Sequence, residues 1–119
     1  MDENGIGTTI VDRAIHLHKA LGPGLLETVY EVALARQLEK VGLKVRRQVA
    51  VPIEFEGETF EEGFRADLIV EDRVIVELKS VERVHPAHKK QLLTYLRLTN
   101  NKLGYLLNFG EALMKNGIT

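Results

Sequence analysis

The chain is 119 residues long, which is enough for one hydrophobic core and too short for two, so we expect a single domain over residues 1–119. Its composition is that of an ordinary globular protein, 45% hydrophobic and 28% charged, and we expect neither a signal peptide nor a membrane span. The absence of cysteine excludes disulfides, thiolate catalysis and thiolate metal sites, and it favours a cytoplasmic location. The net charge of −1 lacks the basic excess typical of tight non-specific DNA binding, unless lysines and arginines cluster on one face.

Two helices are predicted in the first third of the chain. Residues 1–7 are polar and contain glycine, so we expect a mobile start. Helical spacing of apolar residues over residues 10–21 predicts a first helix, capped by one of the two threonines before it. A Gly-Pro-Gly turn ends that helix, and a second apolar stripe predicts another helix over residues 25–41.

Three polar or aromatic residues of the second helix have different expected roles. Glu27 lies in the first turn, where an acid interacts favourably with the helix dipole by roughly 0.3–1 kcal/mol. Tyr30 is expected to be a core or hinge aromatic residue rather than a catalyst. Glu31 lies one turn beyond Glu27 and is expected to be solvated.

A long β-hairpin is predicted after the helices. Apolar residues take the odd positions over residues 44–55, which is the alternation of a half-buried strand. After a turn, apolar residues take the even positions over residues 60–70, so Arg65 and Asp67 should lie on the face opposite the core. The acidic residues around the turn would repel a phosphate backbone, and we therefore place this hairpin tip away from any substrate.

A tighter hairpin should follow, because β-branched runs flank the polar residues Glu71-Asp72-Arg73. A two-residue turn would set Asp67 beside Val76, whereas a three-residue connection would put Asp67 opposite Glu77. We favour the three-residue connection. Lys79 then shares a strand face with Glu77, because side chains alternate along a strand.

The two carboxylates expected to meet across this hairpin require a nearby positive charge. An ion taken into a sheet interior loses several kcal/mol of hydration, and a neighbouring carboxylate adds repulsion to that loss. Lys79 could supply one positive charge, but a divalent cation neutralises the two carboxylates better, since hard oxygen ligands suit Mg²⁺. The alternative is a solvated face on which Asp67, Glu77 and Lys79 form surface ion pairs worth roughly 0–1 kcal/mol.

The last predicted elements form a β-α-β unit. Proline at the first position favours a helix over residues 86–99, and the apolar run over residues 103–107 should return as a parallel strand through a right-handed crossover. His88, Gln91 and Tyr95 fall at three- and four-residue steps and therefore share one helix face. The core-facing side is expected to carry Leu92, Leu93 and Leu96.

The order Asp67, then Glu77-Leu78-Lys79, resembles the D-x(n)-(D/E)-x-K signature of the PD-(D/E)xK nuclease superfamily. Ala66 stands in the place of the proline, a replacement that members of the superfamily often show. The spacing Gln91-x-x-x-Tyr95 is similar to the QxxxY element that some of these nucleases carry beside the carboxylates.

The segments from Gly22 to Glu31 and from Gln91 to Leu96 together resemble the GxxExxR family, which is usually placed within the same superfamily, and this resemblance extends from about His18 to Phe109. Gly24 and Glu27 match that motif. Tyr30 stands where the motif has arginine, so a role of that arginine cannot be carried over to this chain.

These resemblances imply a restriction-endonuclease-like α/β fold. This fold would have N-terminal helices and a central mixed β-sheet that is flanked by helices. The sheet would be made of antiparallel hairpins plus the β-α-β crossover. The resemblances imply that Asp67, Glu77 and the backbone carbonyl of Leu78 hold Mg²⁺ or Mn²⁺, and that Glu27 binds the ion directly or through water. Lys79 would orient the attacking water. The residues implied to steady the phosphate or the lysine, or to edge the cleft, are Gln91, Tyr95, Arg65 and His88.

Metal-assisted hydrolysis of phosphodiester bonds is therefore the expected activity, with DNA as the substrate and a homodimer as one arrangement for cutting two strands. Two alternatives remain open. The chain could be a catalytically silent module that keeps the nuclease fold and binds a protein or nucleic-acid partner. It could instead hydrolyse a small phosphoester, which would require a closed pocket rather than an open groove.

Overall fold

The computed structural model describes residues 1–99, 103–112, 114 and 117–118. The four strands of this part form one sheet in chain order, in which the first three strands pair antiparallel and the last two pair parallel. The predicted mixed α/β fold is confirmed. The elements in chain order are α1 (Glu3–Leu21), α2 (Glu27–Lys40), β1 (Val45–Phe55), β2 (Glu58–Val70), β3 (Val74–Lys79), α3 (Pro86–Thr99) and β4 (Leu103–Asn108).

Helix α1 begins nearer the N-terminus than the sequence predicts. Asp2 caps it, since its Oδ1 accepts a hydrogen bond from the Gly5 N–H at 2.8 Å, and the predicted start at residue 10 is wrong. Ile6 is fully buried, and a Cβ on Gly7 would lie 2.3 Å from the hydroxyl oxygen of Tyr105. The first turns, expected to be a mobile start, therefore pack into the core through one isoleucine and one close helix–sheet approach.

The turn before α2 is held by Tyr30, which is a core residue as predicted. Its hydroxyl donates a hydrogen bond to the Gly22 carbonyl at 2.5 Å and accepts one from the Leu25 N–H at 3.0 Å. Its ring stacks on Phe109 with centroids 4.3 Å apart. Gly24 has a φ of 95°, a conformation that favours glycine, so the Gly-Pro-Gly turn is fixed both by backbone freedom and by the tyrosine.

Helices cover both faces of the sheet. Helices α1 and α2 pack over one core, which includes Val70 and Val76 of the sheet, whereas α3 packs over a second core with Ile75. Leu92 is buried in this second core, but Leu93 is 66% exposed, so the prediction that Leu93 faces the core is wrong. None of the helices in the described part of the chain has the length and apolarity needed to cross a membrane.

The face of the sheet to which the side chains of β1 and β2 point changes at the position of Gln48 and Asp67. Leu68 packs beneath α1 and α2, whereas Ala66, also at an even position, packs in the core beneath α3. Gln48 lies between the residues of β1 that pair with these two, and its φ is 51° rather than that of an extended strand. The prediction that the even positions of β2 share one face is therefore wrong, and Arg65 points away from α3.

Strand β1 forms one edge of the sheet. It is irregular a second time, because its register with β2 shifts between Val51 and Ile53. Pro52 occupies the position between them and has no backbone N–H to donate. The strand is thus long but interrupted at two places.

Candidate active site

The β2–β3 hairpin has the register that the sequence favours. Val70 lies opposite Val74 across the three-residue connection, and continuing this pairing puts Asp67 opposite Glu77. The Asp67 side chain also takes the place of a backbone carbonyl as hydrogen-bond acceptor, since its Oδ2 accepts a hydrogen bond from the Leu78 N–H at 2.9 Å. The two carboxylates therefore face each other where the ladder between β2 and β3 ends.

Glu77 is the poorly solvated member of the pair. Burial raises the pKa of Glu77 to about 9, assisted by a hydrogen bond to Asp67 and by the charge of Asp67, whereas the charge of Lys79 acts in the opposite direction. Its Oε1 is buried and has no hydrogen-bond partner among the described residues. A buried acceptor without a partner costs about 1–3 kcal/mol, so this oxygen is suited to a proton or a cation.

Lys79 ends β3 two residues beyond Glu77. Its backbone is fixed by β4, because its carbonyl accepts a hydrogen bond from the Phe109 N–H at 2.8 Å and its partner in the parallel pair is Asn108. Asn108 in turn holds the next segment, accepting from the Val81 N–H at 3.1 Å. None of the ion pairs formed within the described part of the chain involves Lys79, so its ammonium group is not committed to another carboxylate.

One face of α3 lies within electrostatic range of the carboxylate pair. Tyr95 stacks on Phe64 with ring centroids 3.7 Å apart, and its pKa is raised by burial and then by the charge of Glu77. A side-chain hydrogen bond with Gln91 acts to lower that pKa, which places Gln91 beside the phenol. His88 is half-buried on the same helix, and its Nδ1 is buried without a hydrogen-bond partner among the described residues.

The acid of α2 that connects to Asp67 is Glu31. It is 5% exposed, so the expectation that it is solvated is wrong. Its Oε2 accepts two hydrogen bonds from Arg47, at 3.1 and 2.8 Å, and its Oε1 accepts one from Gln48 Nε2 at 2.6 Å. The same Gln48 nitrogen lies 3.3 Å from Asp67 Oδ1. A polar network therefore runs from α2 through β1 to the carboxylate pair.

A family model described as the PD-(D/E)XK nuclease superfamily matches residues 4–119, almost the whole chain. The chain belongs to this superfamily. Comparisons with curated proteins and with solved structures gave no match. Membership in the PD-(D/E)XK superfamily indicates a nuclease and a nucleic-acid ligand, and the residues that resemble its signature are the ones that the hairpin brings together at the end of β3.

Two of the residues predicted for the site, Glu27 and Arg65, are not part of the cluster formed by Asp67, Glu77 and Lys79. Glu27 is exposed at the first position of α2. Within the part of the chain that the structure describes, no group of three or more histidine or acidic side chains is placed to hold a metal ion, so Glu27 is not a third direct ligand beside Asp67 and Glu77. Arg65 donates to the Gln48 carbonyl at 3.0 Å and forms an ion pair with Glu62, within the long hairpin of β1 and β2.

Sequence reasoning missed Arg47 and Gln48 altogether. A signal existed for Glu31, which shares the buried stripe of α2 with Leu34 and Leu38, because an acid on such a stripe requires a buried partner. No comparable signal pointed to Gln48. Its participation depends on a backbone conformation that a regular strand does not have.

Proposed function

We propose that the protein is a divalent-metal-dependent nuclease that hydrolyses phosphodiester bonds, with DNA as its substrate. The observation that carries this proposal is the pair of Asp67 and Glu77, in which one buried oxygen has no hydrogen-bond partner among the described residues. Two residues beyond Glu77 lies Lys79, which forms no ion pair with any described carboxylate. Membership in the PD-(D/E)XK superfamily supports the same activity. Gly24 and Glu27 also support a place in the GxxExxR family, although Tyr30 has a structural role in this chain that arginine could not fill.

The donor set at the end of β3 fits Mg²⁺ or Mn²⁺, since both ions prefer oxygen ligands. Asp67, Glu77 and the backbone carbonyl of Leu78 would hold the ion, and Glu27 would contribute through water from its exposed position on α2. When bound, the ion supplies the charge that polarises the phosphodiester and lowers the pKa of an attacking water. A cation would also replace the proton that Glu77 otherwise keeps, which explains why a buried acid with a pKa of about 9 is placed here.

The protein's own groups then orient the reaction. Lys79 would hold the attacking water and offset the negative charge that develops on the phosphate. Gln91 and Tyr95 would steady the phosphate from α3, where the phenol already lies in the field of Glu77. His88 would edge the cleft, and Arg65 would contact the phosphate backbone further along the strand. Hydrolysis would leave the phosphate on one of the two product ends.

We favour a long nucleic-acid strand over a small phosphoester as the substrate, because the chain belongs to a nuclease superfamily. A small substrate would require an enclosed pocket around the carboxylates. Two cavities of about 460 and 400 Å³ among the described residues lie away from Asp67 and Glu77, one between β1, β2 and α3 and the other on the outer face of α2. The proposal is an open groove, with a homodimer as the means of cutting both strands and the cytoplasm as the location.

The test is cleavage of single-stranded DNA, double-stranded DNA and RNA in Mg²⁺ or Mn²⁺. Wild type is compared with Glu77→Ala and Lys79→Ala, and with Glu39→Ala and Lys40→Ala as matched controls at the exposed end of α2. We expect metal-dependent cleavage that the first two substitutions abolish and the controls preserve. Cleavage that persists in all variants would reveal a contaminant. No cleavage of any substrate, with no metal bound by calorimetry, would favour the silent binding module.

A further inference from the structure

Gln48 has a backbone conformation that its position in the fold does not explain. In the described chain four non-glycine residues have positive φ, and Glu56, Glu71 and Asp72 all lie in hairpin turns, where such angles are common. Gln48, at 51°, lies inside β1. Residues other than glycine, asparagine and aspartate rarely adopt this region, so the surrounding structure must hold Gln48 there.

The distortion puts two consecutive side chains on the same side of the strand. Neighbouring residues of a regular strand point to opposite faces. Arg47 and Gln48 nevertheless both donate hydrogen bonds to Glu31, Arg47 to Oε2 and Gln48 to Oε1. The positive φ is therefore what allows the Gln48 amide to reach the buried acid of α2.

This arrangement also determines which way the Gln48 amide faces. An ionised carboxylate only accepts hydrogen bonds, so the group that faces Glu31 Oε1 at 2.6 Å must be the NH₂ of Gln48. An NH₂ group has two hydrogens, and the second can point to Asp67 Oδ1, 3.3 Å away. With the Leu78 N–H on Oδ2, both oxygens of Asp67 are then oriented by donors.

We propose that Gln48 is a positioning residue for Asp67: its amide, anchored on Glu31, fixes the Asp67 carboxylate against the Leu78 N–H and toward Glu77. The expected effect of Gln48 on metal affinity rests on the proposed function, in which Asp67 is a metal ligand. The expected effect of Gln48 on the orientation of the Asp67 side chain does not rest on it. The strained backbone of β1 at Gln48 serves to orient Asp67 and does not serve to stabilise the sheet.

Two substitutions separate positioning from folding. Gln48→Gly removes the amide and accepts a φ of 51° without strain. Gln48→Asn keeps an amide and tolerates the same φ, but it is one methylene shorter and cannot span from Glu31 to Asp67. Arg46→Ala is the matched control, since Arg46 also lies on β1 and pairs with Asp72 instead.

Three quantities are measured for each variant: the melting temperature, the hydrogen-exchange rate of the Leu78 amide in the metal-free protein, and the Mn²⁺ affinity by calorimetry. We expect Gln48→Gly to melt near the wild-type temperature, because relief of the backbone strain offsets the loss of the hydrogen bond to Glu31. We expect both Gln48 variants to exchange the Leu78 amide about fivefold faster and to bind Mn²⁺ about fivefold more weakly, which corresponds to one hydrogen bond. Arg46→Ala should leave the Leu78 amide and the metal affinity unchanged.

Unchanged exchange at Leu78 in both Gln48 variants would overturn the inference. So would a lower melting temperature with faster exchange throughout β3, because Gln48 would then only hold the sheet together. If the wild type bound no metal and cleaved nothing, the proposed function would fail, and the Leu78 exchange rate would still decide whether Gln48 positions Asp67.

Discussion

Glu77→Gln offers the sharpest test of the electrostatics at the site. Burial and the neighbouring Asp67 raise the pKa of Glu77 from 4.5 to about 9, so the folded protein keeps a proton through neutral pH that the unfolded chain has lost. The stabilising contribution of that protonated form is complete below pH 4.5 and disappears as the pH rises to about 9. Glutamine has nearly the shape of the protonated acid and does not titrate. The free energy of unfolding of the variant therefore does not fall with pH through this residue.

The magnitude follows from linkage. Each pH unit between the two pKa values lowers the free energy of unfolding of the wild type by about 1.4 kcal/mol relative to a chain that does not titrate there. Subtracting the wild-type free energy of unfolding from that of Glu77→Gln cancels the contributions of the other titrating groups. We therefore expect the difference to rise with pH at a slope approaching 1.4 kcal/mol per unit.

The assay is urea denaturation of both proteins from pH 5 to pH 9 in the presence of a chelator, with Glu39→Gln as the exposed control on α2. The control should show no slope. A second series with Mn²⁺ should stabilise the wild type, with release of about one proton, and leave Glu77→Gln unaffected. A difference that stays flat with pH would refute the reasoning, because Glu77 would then be ionised in the folded protein without a cation.

Three further substitutions test separate parts of the structure. Lys79→Gln should abolish cleavage and retain Mn²⁺ binding by calorimetry, and a parallel loss of binding would contradict a role in orienting water. Tyr30→Phe should lower the free energy of unfolding by about 1–3 kcal/mol in urea denaturation, because it removes both hydrogen bonds to the turn and keeps the stack on Phe109. Gly110→Ala should lower the melting temperature, since a Cβ there would lie 2.1 Å from the Val81 carbonyl oxygen, and an unchanged melting temperature would disprove that close approach.

The register that brings the two carboxylates together could be predicted from the sequence. Val70 and Val74 bracket a short polar connection, and the energetic penalty of burying Asp67 and Glu77 favours a register in which one cation serves both. The helix α3 was also predictable, because its proline and its apolar spacing are local signals. Local patterns with one dominant physical cause were therefore sufficient for the hairpin and for the helix beside it.

The network around Gln48 could not be predicted in the same way. Alternation assumes an extended backbone, and it assigns Arg47 and Gln48 to opposite faces of β1. The deviation is stabilised by contacts to Glu31, which lies on another element, so no local window contains its cause. The exposed Leu93 is a similar case, because helical spacing shows which residues share a face but not how wide a face the sheet will cover.

The two interruptions of β1 also bear on how copies of the protein can meet. An edge strand eleven residues long presents unpaired N–H and C=O groups that could recruit the same strand of a second molecule. The left-handed conformation of Gln48, the register shift around Pro52 and the missing N–H of that proline leave few consecutive residues with the geometry for such pairing. The distortion at Gln48 thus also shortens the stretch of β1 that is available for pairing with a second molecule.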